Sequence, residues 1–365
     1  MTTNSNAHSP LSILVTGGSG FLGKAIVEEF LHASCPVSVR LLRVYDLKPY
    51  LGKDDDRIEF IQGDICDPDG INKACEGMDL VIHAAAIVDW GTKKPKEVYE
   101  ANYTGTQHVI NACKQNGVPI LVYTSSLDTV ITGKPLLNVD ESQPYPEQHL
   151  NMYCESKCLA EKLVLSGNSE TLRTIALRPS DIFGEGDPYH VPPLVDMAKS
   201  GFYVRIGDGS AHNQHVYVRN MAWAHVLATK ALLERNEKAT GKAYFLTDGP
   251  GANFFTFFDD ILIQAGYKIW PVNLWLPKGL LYFLGIMAES FALMIRPFKY
   301  YVPKLSRFAV MYTTTSFTFN SSKAEKDFGF YPKYSEEEAM ENTVDFFRCR
   351  DAINRVSTSK KIDKS

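Results

Sequence analysis

The stretch Thr16-Gly17-Gly18-Ser19-Gly20-Phe21-Leu22-Gly23 follows a short apolar run, Ile13-Leu14-Val15, and opens an amphipathic segment. Few sequence features restrict a fold more. Glycines so spaced between a strand and a helix permit a tight turn at Gly17, close approach of the backbone to an anion at Gly20, and close helix-to-strand packing at Gly23. The unpaired N–H groups at such a helix start suit a pyrophosphate. A tight turn without a ligand uses the same glycines, so the surrounding pattern has to decide.

That pattern is a layered α/β chain. Short apolar runs bounded by turn residues, at Ser12–Thr16, Val39–Tyr45, Ile58–Gln62, Leu80–His83, Leu121–Thr124 and Thr174–Leu177, alternate with helical patterns at Phe21–His32, Asp69–Cys75, Lys96–Gln115 and Tyr153–Leu165. Such alternation builds a parallel sheet covered on both faces. The spacing predicts a doubly wound parallel Rossmann sheet over residues 11–186, with residues 213–249 returning to it through a late strand, Ala243–Thr247. Residues 187–212 and 250–347 are expected to form a smaller C-terminal substrate-binding lobe. The polar, lysine-rich residues 351–365 read as a disordered tail.

Asp46 ends the second strand, where a carboxylate binds both ribose hydroxyls of a dinucleotide and repels a 2'-phosphate. That favours NAD over NADP, although Lys48, two residues on, carries a charge that suits the phosphate. Tyr153 and Lys157 lie four residues apart on one predicted helix face, and an ammonium there lowers a phenol pKa that starts near about 10. A tyrosinate beside a nicotinamide exchanges protons with an alcohol or ketone while the cofactor carries the hydride. Such pairs also occur on solvated helix faces. This one follows a strand ending in Tyr123-Thr124-Ser125-Ser126, and ligands of doubly wound sheets sit at the carboxyl ends of strands. A serine at that rim either holds the substrate oxygen or caps a turn.

The formal net charge of -4, with Lys and Arg scattered, argues against a nucleic-acid partner. Seven cysteines, an odd number without a Cys-x-x-Cys, suggest neither a disulfide framework nor a zinc site. Cys154 and Cys158 share a helix face but lack His or carboxylate partners, so no metal is expected. Reduced thiols, with a polar Met1–Pro10 that lacks the basic-then-apolar order of a secretory signal, point to an intracellular protein.

With the Thr-Gly-x-x-Gly-x-x-Gly turn and the Tyr-x-x-x-Lys pair both intact, the chain resembles the extended short-chain dehydrogenases/reductases. The resemblance implies Tyr153 as the acid-base, Lys157 as its support and a ribose contact, and Ser126 as the catalytic serine, with Ser125 the alternative. It implies cofactor contacts from Gly17, Gly20, Phe21, Leu22 and Gly23, and an adenine contact from Asp64 and Ile65. Ala84, in His83-Ala84-Ala85-Ala86, would belong to the loop under the cofactor, and Pro179, in Arg178-Pro179-Ser180-Asp181-Ile182-Phe183-Gly184, to the segment that closes on the nicotinamide. Asn102 would hold a proton-relay water.

From about residue 11 to 347 the resemblance narrows to the 3β-hydroxysteroid dehydrogenases, including bifunctional dehydrogenase/isomerases, through Leu121–Ser126, Val216–His225, Thr315–Phe319 and Lys323–Phe330. It implies NAD-dependent oxidation of the 3β-hydroxyl of a steroid or sterol to the 3-ketone. A Δ5-to-Δ4 isomerisation stays open, because the Thr132–Met152 connection is short and no isomerase acid or base can be placed. Phe254, Phe255, Phe257 and Phe258 fit a flat apolar substrate and equally fit a core. The alternatives are a nucleotide-sugar epimerase, which pocket arginines would favour, a long-chain β-ketoacid reductase, or a non-catalytic NAD-sensing scaffold. A scaffold usually lacks Tyr153, Lys157 or the serine.

Gly279–Ile295 is apolar apart from Glu289. As a helix it reaches about 26 Å, short of a hydrocarbon core of about 30 Å, so it is expected to lie on a membrane surface rather than cross it. Lys278, Arg296 and Lys299 would meet headgroups, and Trp275, Tyr300 and Tyr301 would sit at the interface. A buried helix of the second lobe is the alternative. The expected site is the cytoplasmic side of a membrane, the endoplasmic reticulum in a eukaryote, and a homodimer is the expected assembly.

Overall fold

A computed structural model of the chain describes residues 9–362, apart from residues 92, 296, 297, 299, 300, 302 and 304. Two compact units emerge. The first comprises the chain up to Ser180 with Arg219–Thr247 and Phe319–Pro332, and the second comprises Asp181–Val218, Asp248–Thr318 and the chain from Lys333 on.

Seven strands make the sheet of the first unit: β1 (Leu11–Thr16), β2 (Val39–Asp46), β3 (Ile58–Gln62), β4 (Leu80–His83), β5 (Ile120–Thr124), β6 (Arg173–Pro179) and β7 (Lys242–Leu246). All pair in parallel, in the order β3-β2-β1-β4-β5-β6-β7. The order reverses beside β1, and that switch point opens the ligand crevice of doubly wound sheets. Strands β1, β4 and β5 are buried along their whole length, as continuous apolar runs in a doubly covered sheet must be. Helix α1 (Phe21–Phe30) follows the glycine turn, and α2 (Pro68–Ala74), α3 (Pro95–Tyr99), α4 (Gly105–Gln115) and α5 (Met152–Ser166) follow in the chain. One core packs Leu14, Val81, Leu121 and Ala176 of the sheet against Ile71, Val109 and Val164 of α2, α4 and α5.

The single helix predicted over Lys96–Gln115 is interrupted. Between α3 and α4 the chain makes a π-helical turn, Glu100–Thr104, which turns Asn102 inward until it is 1% exposed. Such turns collect at functional sites and leave no mark in apolar periodicity. A second correction concerns the C-terminus. The last helix, Glu336–Ile362, runs through position 351, where the sequence suggests a disordered tail. Once a helix is nucleated on buried Ala339, Val344 and Phe347, each further residue adds a hydrogen bond that about offsets its backbone entropy.

Two buried histidines tie strands to helices in the neutral state. Thr106 Oγ1 gives its proton to the Asn102 carbonyl at 2.6 Å, so His83 must donate to it from Nε2 at 2.9 Å and accept from Thr16 Oγ1 at Nδ1, 2.7 Å away. In the helix Val218–Leu233, His225 donates from Nδ1 to the Met221 carbonyl and accepts from Thr124 Oγ1 at Nε2. Burial pushes His83 down to about 3 and His225 to about 4. Because the folded values lie below the ordinary value of about 6.5, the unfolded chain binds protons first, and each histidine costs stability as pH falls from about 6.5 towards those values. The slope is up to about 1.4 kcal/mol per pH unit for each group. We expect the melting temperature of His225→Gln to fall less than that of the wild type between pH 6.5 and 4.5. Equal falls would contradict the neutral assignment.

In the second unit, Phe254, Phe255 and Phe258 are buried on the helix Phe254–Gln264, with His190 stacked on Phe258 at 5.1 Å. Asp259 of the same helix holds Arg205 at 2.6 Å and Tyr203 at 2.7 Å. These aromatics therefore build that unit's own core. The helix Lys278–Ile295 differs: its mean hydropathy is 1.5, yet only 11% of it is buried. Leu281, Gly285 and Ala292 face inward, while Leu280, Phe283, Leu284, Met287, Phe291 and Met294 are exposed. A buried core helix is thereby excluded. Arg296, Lys299 and Tyr300, assigned above to the membrane interface, lie outside the described residues.

Candidate active site

The glycine turn has the shape its spacing predicts. Gly17 takes φ +72°, and a Cβ there would come within 2.7 Å of the Ala85 backbone, while a Cβ on Gly23 would collide with the Gly17 carbonyl. At Gly20 the nearest atom to a built Cβ is the Gly17 carbonyl oxygen at 3.1 Å, which leaves its outer side open. Gly20 caps α1 without a side-chain hydrogen bond, and the first turn holds no acidic residue. The positive end of the helix is thus left for an anion, as a dinucleotide pyrophosphate requires. Phe21 and Leu22 begin α1 and are half-buried. Asp46, at the end of β2, accepts the Ser19 N–H and the Lys48 N–H, each at 3.0 Å, so the carboxylate is anchored beside the turn.

Across the switch point, Asn151 caps α5 by accepting the Cys154 N–H, which places Tyr153 and Lys157 on its first two turns. Lys157 is 2% exposed; its Nζ donates to the Thr124 carbonyl at 2.7 Å and lies 4.4 Å from the centre of the Tyr123 ring. Burial pushes the lysine down to about 7, while the charges of Glu161 and Asp128 oppose the drop. The two serines after β5 separate by their contacts. Ser125 Oγ donates to the buried Glu161 at 2.6 Å, whereas Ser126 Oγ donates to Asp128 at 2.6 Å and accepts that residue's N–H at 3.2 Å. Ser126 thus also caps the short turn Leu127–Thr129, the plainer role the sequence allowed.

Asn102 clamps the loop after β4: Oδ1 accepts the Ile87 N–H at 2.8 Å, and Nδ2 donates to the Ile87 carbonyl at 3.0 Å and to Ser156 Oγ at 3.1 Å. A relay water would have only the second Oδ1 lone pair to hold. Asp64 is exposed after β3 and Ile65 is buried, while Ala84 is half-buried next to Gly17 and Pro179 is buried at the end of β6. Among the described residues there is no group of three or more His, Cys, Asp or Glu suited to a metal ion. The sequence reading missed Glu161, which is fully buried and accepts from Ser125, from Tyr145 and three times from Arg178. Its signal was present: Tyr153, Lys157 and Glu161 recur every fourth residue on one helix face.

Residues 14–274 match the 3-beta hydroxysteroid dehydrogenase/isomerase family. Human 3 beta-hydroxysteroid dehydrogenase type 7 is 36% identical, over 92% of this chain and 95% of that protein. Mouse sterol-4-alpha-carboxylate 3-dehydrogenase, decarboxylating, is 32% identical, over 91% of this chain and 90% of that protein. Among solved structures, the epimerase Mth375 of Methanothermobacter thermautotrophicus shares the fold, with a TM-score of 0.75 at 19% identity over 96% of each chain. The dehydratase DesIV of Streptomyces venezuelae, solved with NAD bound, gives a TM-score of 0.71 at 20% identity, over 93% of this chain and 97% of that one. The chain therefore belongs to the 3-beta hydroxysteroid dehydrogenase/isomerase family.

Proposed function

We propose that this enzyme oxidises the 3β-hydroxyl of a steroid or sterol to the 3-ketone, with NAD as the preferred cofactor. The observation that carries the reading is the buried Lys157, which ties the helix of Tyr153 to the strand end that presents Ser126. The cofactor, held by the glycine turn and Asp46, supplies a hydride acceptor. Tyr153, one helical turn from Lys157, takes the hydroxyl proton. An alcohol has one proton to give, and Tyr153 receives it, so Ser126 must donate to the carbinol oxygen and turn its hydroxyl away from Asp128.

The nucleotide-sugar alternative loses support, because the buried arginines among the described residues, Arg178 and Arg205, are each paired with a carboxylate. The test is purified protein with NAD or NADP and a panel of 3β-hydroxysteroids, sterol 4α-carboxylates, β-hydroxyacids and UDP-sugars, read by reduced cofactor. The absorbance of a conjugated enone in the same cuvette reports isomerisation. Turnover confined to β-hydroxyacids or UDP-sugars would overturn the reading.

NAD preference follows from Asp46. We expect Asp46→Ala to weaken NAD binding and narrow its gap to NADP, since a ribose acceptor and the repulsion of a 2'-phosphate vanish together. Isothermal titration with both cofactors checks this, and tighter NADP binding by the wild type would show that Lys48 decides instead. The apolar helix Lys278–Ile295 we read as a contact with a membrane surface, where a sterol substrate partitions.

A further inference from the structure

Glu161 is 0% exposed and accepts five hydrogen bonds: from Ser125 Oγ at 2.6 Å, Tyr145 OH at 2.7 Å, Arg178 Nη2 at 2.7 Å, and Arg178 Nε, shared between both carboxylate oxygens, at 2.9 and 3.2 Å. Well-packed apolar side chains stabilise a core about as well as a buried ion pair does, so a pair retained there is better explained by what it orients. Here the orientation is specific. Helix α5 grips two consecutive residues at the end of β5: Lys157 holds the Thr124 carbonyl, and Glu161, one turn further on, holds the Ser125 hydroxyl. The next residue is Ser126. Arg178 brings the end of β6 into the same grip.

We propose that Glu161 is a positioning residue for proton transfer, which locks the strand end bearing Ser126 to the helix bearing Tyr153 and supplies the anion one turn behind Lys157. This rests on the function proposed above. The groups facing Lys157 leave few other sources of that charge. On its own helix stand Tyr153 and Glu161; from β4 comes His83, which is neutral; Tyr123 of β5 offers a ring face; and Asp128 is the remaining anion. A neutral residue at 161 removes one of the two supporting charges and leaves the Arg178 cation unmatched. Lys157 then loses its proton at lower pH.

The test is kcat/KM against pH for wild type, Glu161→Gln, Tyr145→Phe and the pair Glu161→Gln with Arg178→Met, using NAD and a 3β-hydroxysteroid that the wild type oxidises. In Glu161→Gln the alkaline limb is expected to move to lower pH by about one unit, with the loss mainly in kcat. Tyr145→Phe removes a hydrogen bond from the same carboxylate but no charge, and its limb stays in place. The paired variant, which removes the unmatched Arg178 charge that could unfold Glu161→Gln, recovers only part of the limb shift and keeps kcat below wild type, because a neutral amide holds the Ser125 hydroxyl less tightly than the carboxylate does. A wild-type profile in Glu161→Gln, an equal shift in Tyr145→Phe, or wild-type kcat in the paired variant each overturns the proposal. If the wild type oxidises no 3β-hydroxysteroid, the parent reading fails and this one with it; a wild type that turns over beside unmoved variants sinks this one alone.

Discussion

Replacing Tyr153 by phenylalanine is expected to lower kcat by at least about 10²-fold, the low end of what a general acid-base contributes, or about 2.7 kcal/mol of barrier. The substitution removes one oxygen and keeps the ring in a site where Tyr153 is 7% exposed, so packing is preserved. NAD affinity should hardly change, since the proposed cofactor contacts, the glycine turn and Asp46, lie across the switch point. Stopped-flow turnover and NAD titration on one preparation separate the two quantities. Near-wild-type kcat would remove Tyr153 from the reaction, and a matched loss of NAD affinity would point to a damaged fold. Lys157→Met should be about as harmful for a different reason: it deletes the charge and also the hydrogen bond to Thr124.

Most of this site was legible because its chemistry sits on regular elements. The glycine turn reads from spacing, since only glycine fits the backbone at Gly17 and the packing at Gly23. Tyr153 and Lys157 read from helical period, and the strand ends from apolar runs that must be buried on both faces. The π turn at Glu100–Thr104 was not legible, because one inserted residue in a ladder leaves the pattern of apolar positions almost unchanged. Nor could spacing separate Ser125 from Ser126. They are neighbours on a strand end, and their roles part through Glu161, which reaches Ser125 from helix α5, and Asp128, two residues past Ser126. Glu161 shares the helix face of Tyr153 and Lys157, but its burial depends on Ser125, Tyr145 and Arg178, which no helical period places beside it. Tertiary partners, not local pattern, decide the fate of a charged side chain.

The largest all-or-none effect is expected at the helix Lys278–Ile295. Among its exposed residues, Leu280, Leu284, Met287, Phe291 and Met294 recur at alternating steps of four and three and form a stripe along the helix, which exposed Tyr282, Phe283, Ile286 and Leu293 widen into a broad apolar face. The opposite face is occupied: Gly285 lets Arg307 approach so closely that a Cβ would meet its backbone nitrogen at 3.2 Å, and Glu289 accepts that N–H at 2.7 Å and pairs with the guanidinium at 2.6 Å. Glu289, the charge that argues against burial in lipid, is therefore turned to the protein and neutralised there. Eighteen residues reach about 27 Å, just short of a hydrocarbon core, and one face is held by protein, which is why the proposed contact is a helix lying in an interface and not one that crosses. An apolar stripe of this extent is unusual on a protein that meets only water. Leu280→Glu with Leu284→Glu places two carboxylates on that stripe without touching Leu281, Gly285 or the Glu289–Arg307 pair, so folding and soluble-substrate turnover should survive. In flotation with phosphatidylcholine liposomes, the wild type should rise with the vesicles and the double variant should stay at the bottom of the gradient. A wild type that ignores the liposomes retires the membrane contact; a variant that still floats moves it to another part of the surface.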